Sequence, residues 1–101
     1  MEDLARAEAG IRQAEQGGAE RYGAMELQGA RDKLERARAA ADDEEMAEAE
    51  RLAEEAALDA DLAAAKTRSR KAEAAVRQVE DSIAMLREEI ARGRRVEGEM
   101  P

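Results

Sequence analysis

The stretch "EEMAEAERLAEEAALDADLAAAKTRSRKAEAAVRQVEDSIAMLREEIAR", residues 44–92, contains neither glycine nor proline. Alanine, leucine, glutamate, lysine and arginine dominate it, and these residues lose least on entering a helix. The spacing predicts one helix over about 44–92. Asp42 or Asp43 stands ahead of it as a candidate cap, because a carboxylate accepts the free N–H groups of a first turn. Its weakest point is "AKTRSRKA", residues 65–72, where Thr67 and Ser69 are poor interior residues and good caps. A turn there would give the alternative architecture, a four-helix up-down bundle with a break near 66–70.

Upstream, the clearest interruption is "QGGAERYGAME", residues 16–26, with Gly17, Gly18 and Gly23 close together. Before it, Leu4, Ala7, Ile11 and Ala14 share one face of a helix over 2–16, which Gly17 is expected to stop. After it, Leu27, Ala30, Leu34, Ala37 and Ala41 repeat at helical spacing over 24–41. Both helices and the long one form a single all-α domain over 1–101. Its expected architecture is a short helix plus an antiparallel hairpin whose last helix is very long and coiled-coil-like. The hairpin core is Leu27, Ala30, Leu34 and Ala37 against Met46, Ala49, Leu52 and Ala56, with Tyr22 anchoring the linker. Arg31, Lys33, Arg36 and Arg38 on the second helix would lie against the acidic segment 42–61, which carries ten carboxylates and only Arg51 among basic residues. Gly10 and Gly29 lie inside helices, where each either admits a close neighbour or is a tolerated surface residue.

The chain can bury little apolar area. Of its 101 residues 25 are alanine, thirteen are leucine, isoleucine or valine, and Tyr22 is the only aromatic. Full burial of one large aliphatic side chain contributes about 1.5–3 kcal/mol, against roughly 1–2 kcal/mol of backbone entropy for each ordered residue. Charged residues are 42% of the chain, a profile of long helices or coiled coils. Disorder is the rival reading of such a composition, and the periodic placement of the apolar residues excludes it.

Five of the thirteen large aliphatic residues lie between Ala74 and Gly93. Val76, Val79, Ile83, Leu86 and Ile90 are spaced by three, four, three and four. With Val76, Ile83 and Ile90 at heptad position a, Ala72, Val79 and Leu86 fall at d. The second helix, at about 1.5 Å per residue, spans about 27 Å and covers the long helix only to about residue 62–65. Residues 66–92 are left as an overhang, so the seam is expected to bind a second helix, by self-association or to a partner. β-Branched residues at a with leucine at d suit a parallel pair, in which Arg68 faces Glu73 and Glu89 faces Arg94. An antiparallel pair sets Glu73 against Arg94 and Glu80 against Arg87, so the flanking charges leave orientation open.

The elements from Leu4 to about Ile90 resemble a bacterial family, domain of unknown function 4398. The likeness is carried by the Tyr22 linker leading into Glu26 and Leu27, by Ala30, Leu34 and Ala37, and by Ala49, Leu52, Ala53, Ala56, Asp59, Ala60 and Ala63. The family often has proline two residues after the linker tyrosine, where this chain has Ala24, and an aromatic where it has Met46. The resemblance implies a helical module of bacterial envelope lipoproteins, sometimes ahead of a peptidoglycan-binding domain of the outer-membrane-protein-A type, with no established activity. It implies a periplasmic or cell-envelope setting. Without a leader in the chain as written, a cytoplasmic setting is the other expectation. The hairpin from Leu27 to Ala56 is also similar to half of a tetratricopeptide repeat, with Ala49 and Ala56 at the small-residue positions. A soluble adaptor binding a partner helix or peptide above the hairpin is therefore the second functional reading.

Catalytic chemistry finds no support. Histidine and cysteine are absent, which removes thiol catalysis, disulfides and the usual soft metal ligands. Ser69, Ser82, Thr67 and Tyr22 have no base beside them in sequence. The acidic pairs read as a solvated helix face; weak divalent-cation binding near Glu44, Glu45 and Glu48 is the minor alternative, and no calcium-loop spacing occurs. The expectation is no enzyme, no cofactor and no metal. A net charge of −8 disfavours nucleic acid, and the basic stretch 66–77 lacks interleaved aromatics. No apolar run reaches the length of a membrane span. Expected partners are a second copy, as a dimer, or another envelope protein.

Overall fold

Along the chain run α1 (Glu2–Gly17), α2 (Ala19–Tyr22), α3 (Ala24–Asp42) and α4 (Met46–Glu99), in a computed structural model that describes residues 1–99. Among the described residues there is no strand. The fold is all-helical with a very long final helix. Helix α4 passes through residues 65–72 without a break, so the four-helix alternative does not hold. Thr67, one of the two residues that suggested a turn, is only 1% exposed and packs as an interior residue.

Helix ends differ from the sequence expectation by small steps with clear causes. Gly18, not Gly17, stops α1: its φ is 101°, the left-handed region, and its N–H reaches the carbonyls of Ala14 and Glu15. The four residues of α2 lie inside the glycine-rich stretch 16–26 and form a single helical turn. Helix α3 runs through Asp42, and Glu44 takes a left-handed conformation with φ 62°. The N–H of Glu44 then bonds Ala41 O at 3.0 Å and that of Glu45 bonds Ala40 O at 2.9 Å, a Schellman closure. Glu45, whose carbonyl accepts from Ala49 N–H at 2.9 Å, opens α4 in place of Asp42 or Asp43. At its far end α4 continues past Arg92, through Gly93, to Glu99.

The chain divides into two compact units, Met1–Arg70 and a second that starts at Lys71. The first has an alanine-lined core. Ala7, Ile11 and Ala14 of α1 and Ala19 of α2 cluster with Leu27, Ala30 and Leu34 of α3 and with Ala56, Ala60 and Ala63 of α4. Ala37 packs with Leu52 and Ala53 in a second cluster. Rising numbers on α3 meet falling numbers on α4: Glu26 bonds Lys66, Lys33 bonds Asp59, and Ala37 meets Leu52. Small side chains let the helix backbones approach closely. A Cβ added to Gly10 would lie 3.3 Å from Ala60 Cβ, so this glycine marks the close approach of α1 to α4.

Two expectations about this core need correction. Met46 is 47% exposed and is not a core residue, because it opens α4 before the first buried layer, which begins at Ala49. On α3 the last buried position is Ala40 rather than Ala41. The ion pairs are also arranged differently. Arg31 turns to Glu15 and Glu20, and Arg38 to Glu8, so both tie α3 to α1 and α2. Lys33 reaches the acidic segment of α4, at Asp59, 2.8 Å away. Arg51 is satisfied within α4 by Glu48 and Glu55.

Candidate functional site

The second unit carries the sequence-derived seam. Val76, Val79, Ile83, Leu86 and Ile90 are between 43% and 59% exposed, and Ala72 is exposed as well. Aliphatic side chains of this size are normally among the most buried in a domain. Their three–four spacing on a helix puts them on one stripe. The residues that flank a heptad seam, Glu73, Glu80, Arg87, Glu89 and Arg94, are exposed too. Such a stripe can bind another apolar helix face, and its charges can select the register.

The first unit holds a polar corner that sequence reading missed. Gly23, between α2 and α3, lies against α4: a Cβ there would be 2.8 Å from Ala63 O and 2.8 Å from Thr67 Oγ1. Three residues on, Glu26 Oε1 binds Lys66 Nζ at 2.9 Å and Arg70 Nη2 at 3.4 Å. The hydrogen bond from Lys66, helped by a backbone N–H and by Arg70, lowers the Glu26 pKa from 4.5 to about 2 against the opposing effect of burial. Arg70 Nη1 donates to Tyr22 O. Tyr22 therefore anchors the linker through its carbonyl, while its half-buried ring lies 5.1 Å from the Arg21 guanidinium. Glu26 Oε2 and Thr67 Oγ1 are buried without a hydrogen-bond partner. Lys66, Thr67 and Arg70 thus belong to the first unit's packing, and the stretch expected to be uncovered from residue 66 begins only after Arg70. A glycine next to the linker tyrosine was the one available signal for this corner.

The hairpin residues Leu27, Ala30, Leu34, Ala37, Ala49, Leu52 and Ala56 are buried in the first unit. Leu58 and Leu62, which sequence reading left unassigned, stand exposed on α4 of that unit, 66% and 47%. Leu58 edges a shallow depression with Arg6, Glu54, Ala57 and Asp61. Among the described residues no three His, Cys, Asp or Glu side chains gather to hold a metal ion, and no helix is long and apolar enough to cross a membrane. Ion pairs hold the Glu8 and Glu48 carboxyls below their ordinary range through Arg38 and Arg51 respectively. Glu20 and Asp59 raise the pKa values of Arg31 and Lys33, and all of these lie in structural ion pairs.

With the helices and their spacing in place, comparison with known families matches residues 2–79 to a domain of unknown function, DUF4398. The chain belongs to the DUF4398 family. The match takes in the first unit from Glu2 onward and reaches Val79 in the second, so Ile83, Leu86 and Ile90 lie outside the matched DUF4398 residues. No curated protein and no solved structure matches the chain.

Proposed function

We propose that this DUF4398 chain is a non-enzymatic structural module of the bacterial cell envelope that associates with a second copy of itself through the seam of α4. The observation that carries the reading is the exposure of five large aliphatic side chains at consecutive a and d positions in a protein whose own core is mostly alanine. Burying the exposed half of each against a partner would contribute on the order of 1 kcal/mol. The envelope setting follows from the family resemblance. The absence of His and Cys supports a role in assembly over one in catalysis.

The adaptor reading has less support. A helix-binding groove above the α3–α4 hairpin would need an open apolar side. Ala7, Ile11 and Ala14 of α1 already fill the cluster formed by Leu27, Leu34, Ala56 and Ala60. Light scattering on the wild type and on Ile83→Asp tests the proposal. A dimeric mass that falls to that of one chain in the variant, with helicity kept, is expected. An unchanged dimer in Ile83→Asp would remove the seam from the association.

A further inference from the structure

Two copies joined through the seam can run the same way or opposite ways. Arg68, one of the charges that suits a parallel pair, belongs to the first unit, so the seam within the second unit runs from Ala72 to Arg94. With Val76, Ile83 and Ile90 at a, its e positions are Glu73, Glu80, Arg87 and Arg94: two acids, then two bases, one heptad apart. All four are exposed, and none forms an ion pair with another described residue. The g positions Ala75, Ser82 and Glu89 carry one charge.

We infer that the second copy lies antiparallel on this seam, in the register that sets Glu73 against the second copy's Arg94 and Glu80 against its Arg87. The inference rests on the self-association proposed above and adds orientation and register.

The e positions of the second unit carry the argument. In an antiparallel pair e meets e and g meets g, whereas in a parallel pair g meets e of the next heptad. In the inferred register every e residue faces the opposite charge, which by symmetry makes four ion pairs, and Glu89 faces Ser82. A parallel pair in register matches Glu89 with Arg94 twice, and leaves Glu80 beside Ala75 and Arg87 beside Ser82. Moving the antiparallel register by one heptad keeps two opposite-charge pairs at e but sets Glu80 against Glu80 in one direction and Arg87 against Arg87 in the other. Exposed ion pairs are individually weak, so their sum over the seam sets the orientation.

Apolar contact separates the orientations less. In the inferred register Ile83 meets Leu86 and Val79 meets Ile90, each twice, and only Val76 meets a residue without a side chain, Gly93. On one chain Ala75, Val76, Val79 and Glu80 edge an open apolar depression, at the level that the second copy's Ile90 reaches.

Charge reversal in the full chain tests the register. Glu73→Arg/Glu80→Arg makes all four e positions basic, and Arg87→Glu/Arg94→Glu makes them all acidic. Each double variant alone should dissociate about tenfold or more readily than the wild type in sedimentation equilibrium, with helicity kept. An equimolar mixture of the two should associate at least as tightly as the wild type. A Glu73→Arg/Glu80→Arg chain that dimerises like the wild type would overturn the antiparallel register and leave self-association standing, because the parallel Glu89–Arg94 match is untouched in it. A mixture that associates no better than its components would overturn the register too.

The chain has no cysteine, so oxidation of single-cysteine variants gives a second readout with every charge in place. Residues that face each other across a two-stranded coil come within disulfide reach. A cross-linked dimer is expected from Val79→Cys mixed with Ile90→Cys, and none from Val79→Cys alone. Cross-linking of Val79→Cys alone, or none in the mixture, would overturn the inferred register. A wild type that sediments as a single chain would overturn both proposals.

Discussion

In the first unit Ala7, Ala14, Ala30, Ala56, Ala60 and Ala63 are fully buried, whereas in the second Val76, Val79, Ile83, Leu86 and Ile90 are each at least 43% exposed. Side-chain size and burial run in opposite directions in the two. Alanine gains little from leaving water, but it costs no side-chain entropy and lets helix backbones approach closely, as they do at Gly10 and Ala60. Such a core is thin, so the few large residues within it and the ion pairs at its rim matter more than usual. The second unit leaves about half of each of these aliphatic side chains uncovered.

The largest effect that would test this contrast is expected at Leu27, the largest apolar side chain that is fully buried. Leu27→Ala should destabilise the first unit by about 2–5 kcal/mol in urea unfolding. Ile83→Ala, measured dilute enough to keep single chains, should stay within about 0.5 kcal/mol of the wild type. Equal losses from the two would break the contrast. Next is Gly23→Ala. Its Cβ would come 2.8 Å from the backbone carbonyl of Ala63, which cannot rotate away, and a loss of about 1–3 kcal/mol is expected. A neutral result would mean that the corner is looser than the structure shows.

Much of the first unit was legible in the sequence, because three–four spacing marks which face of a helix is buried whatever the side chain. Leu4, Ala7, Ile11 and Ala14 were placed on one face by spacing alone, and the last three are buried. Spacing does not report where an apolar face runs out of partners, which is why Met46, in phase with the core face, is exposed as the first residue of α4. Charge segregation along the chain also misled. Arg31 and Arg38 pair with α1 and α2 instead of α4, because a long side chain pairs with whichever carboxylate its face meets. Thr67 reads as a helix breaker by propensity, and tertiary packing beside Gly23 overrides that preference. The exposed Leu58 and Leu62 were hidden among alanines and became readable only once the buried face of α4 was known.

Acid should weaken the first unit. The folded-state pKa of Glu26, about 2, lies below its ordinary value of 4.5. Its ion pairs therefore stabilise the fold fully above about pH 5, and that stabilisation is lost as pH falls from 4.5 toward 2. Thermal melts should drop across that window, and Glu26→Gln should flatten the drop. An unchanged pH profile in Glu26→Gln would move the acid sensitivity elsewhere. The smallest expected effect is a gain. Thr67 Oγ1 is buried and unpartnered, so Thr67→Val should raise stability by about 1 kcal/mol, and a loss of that size would reveal a bond to the hydroxyl.

Sedimentation equilibrium of the intact chain at tens of micromolar tests the central claim most directly. The expected result is a mass twice that of one 11.0 kDa chain, falling to one chain on dilution and in Ile83→Asp. A single-chain mass across the whole concentration range would contradict the seam as a site of self-association.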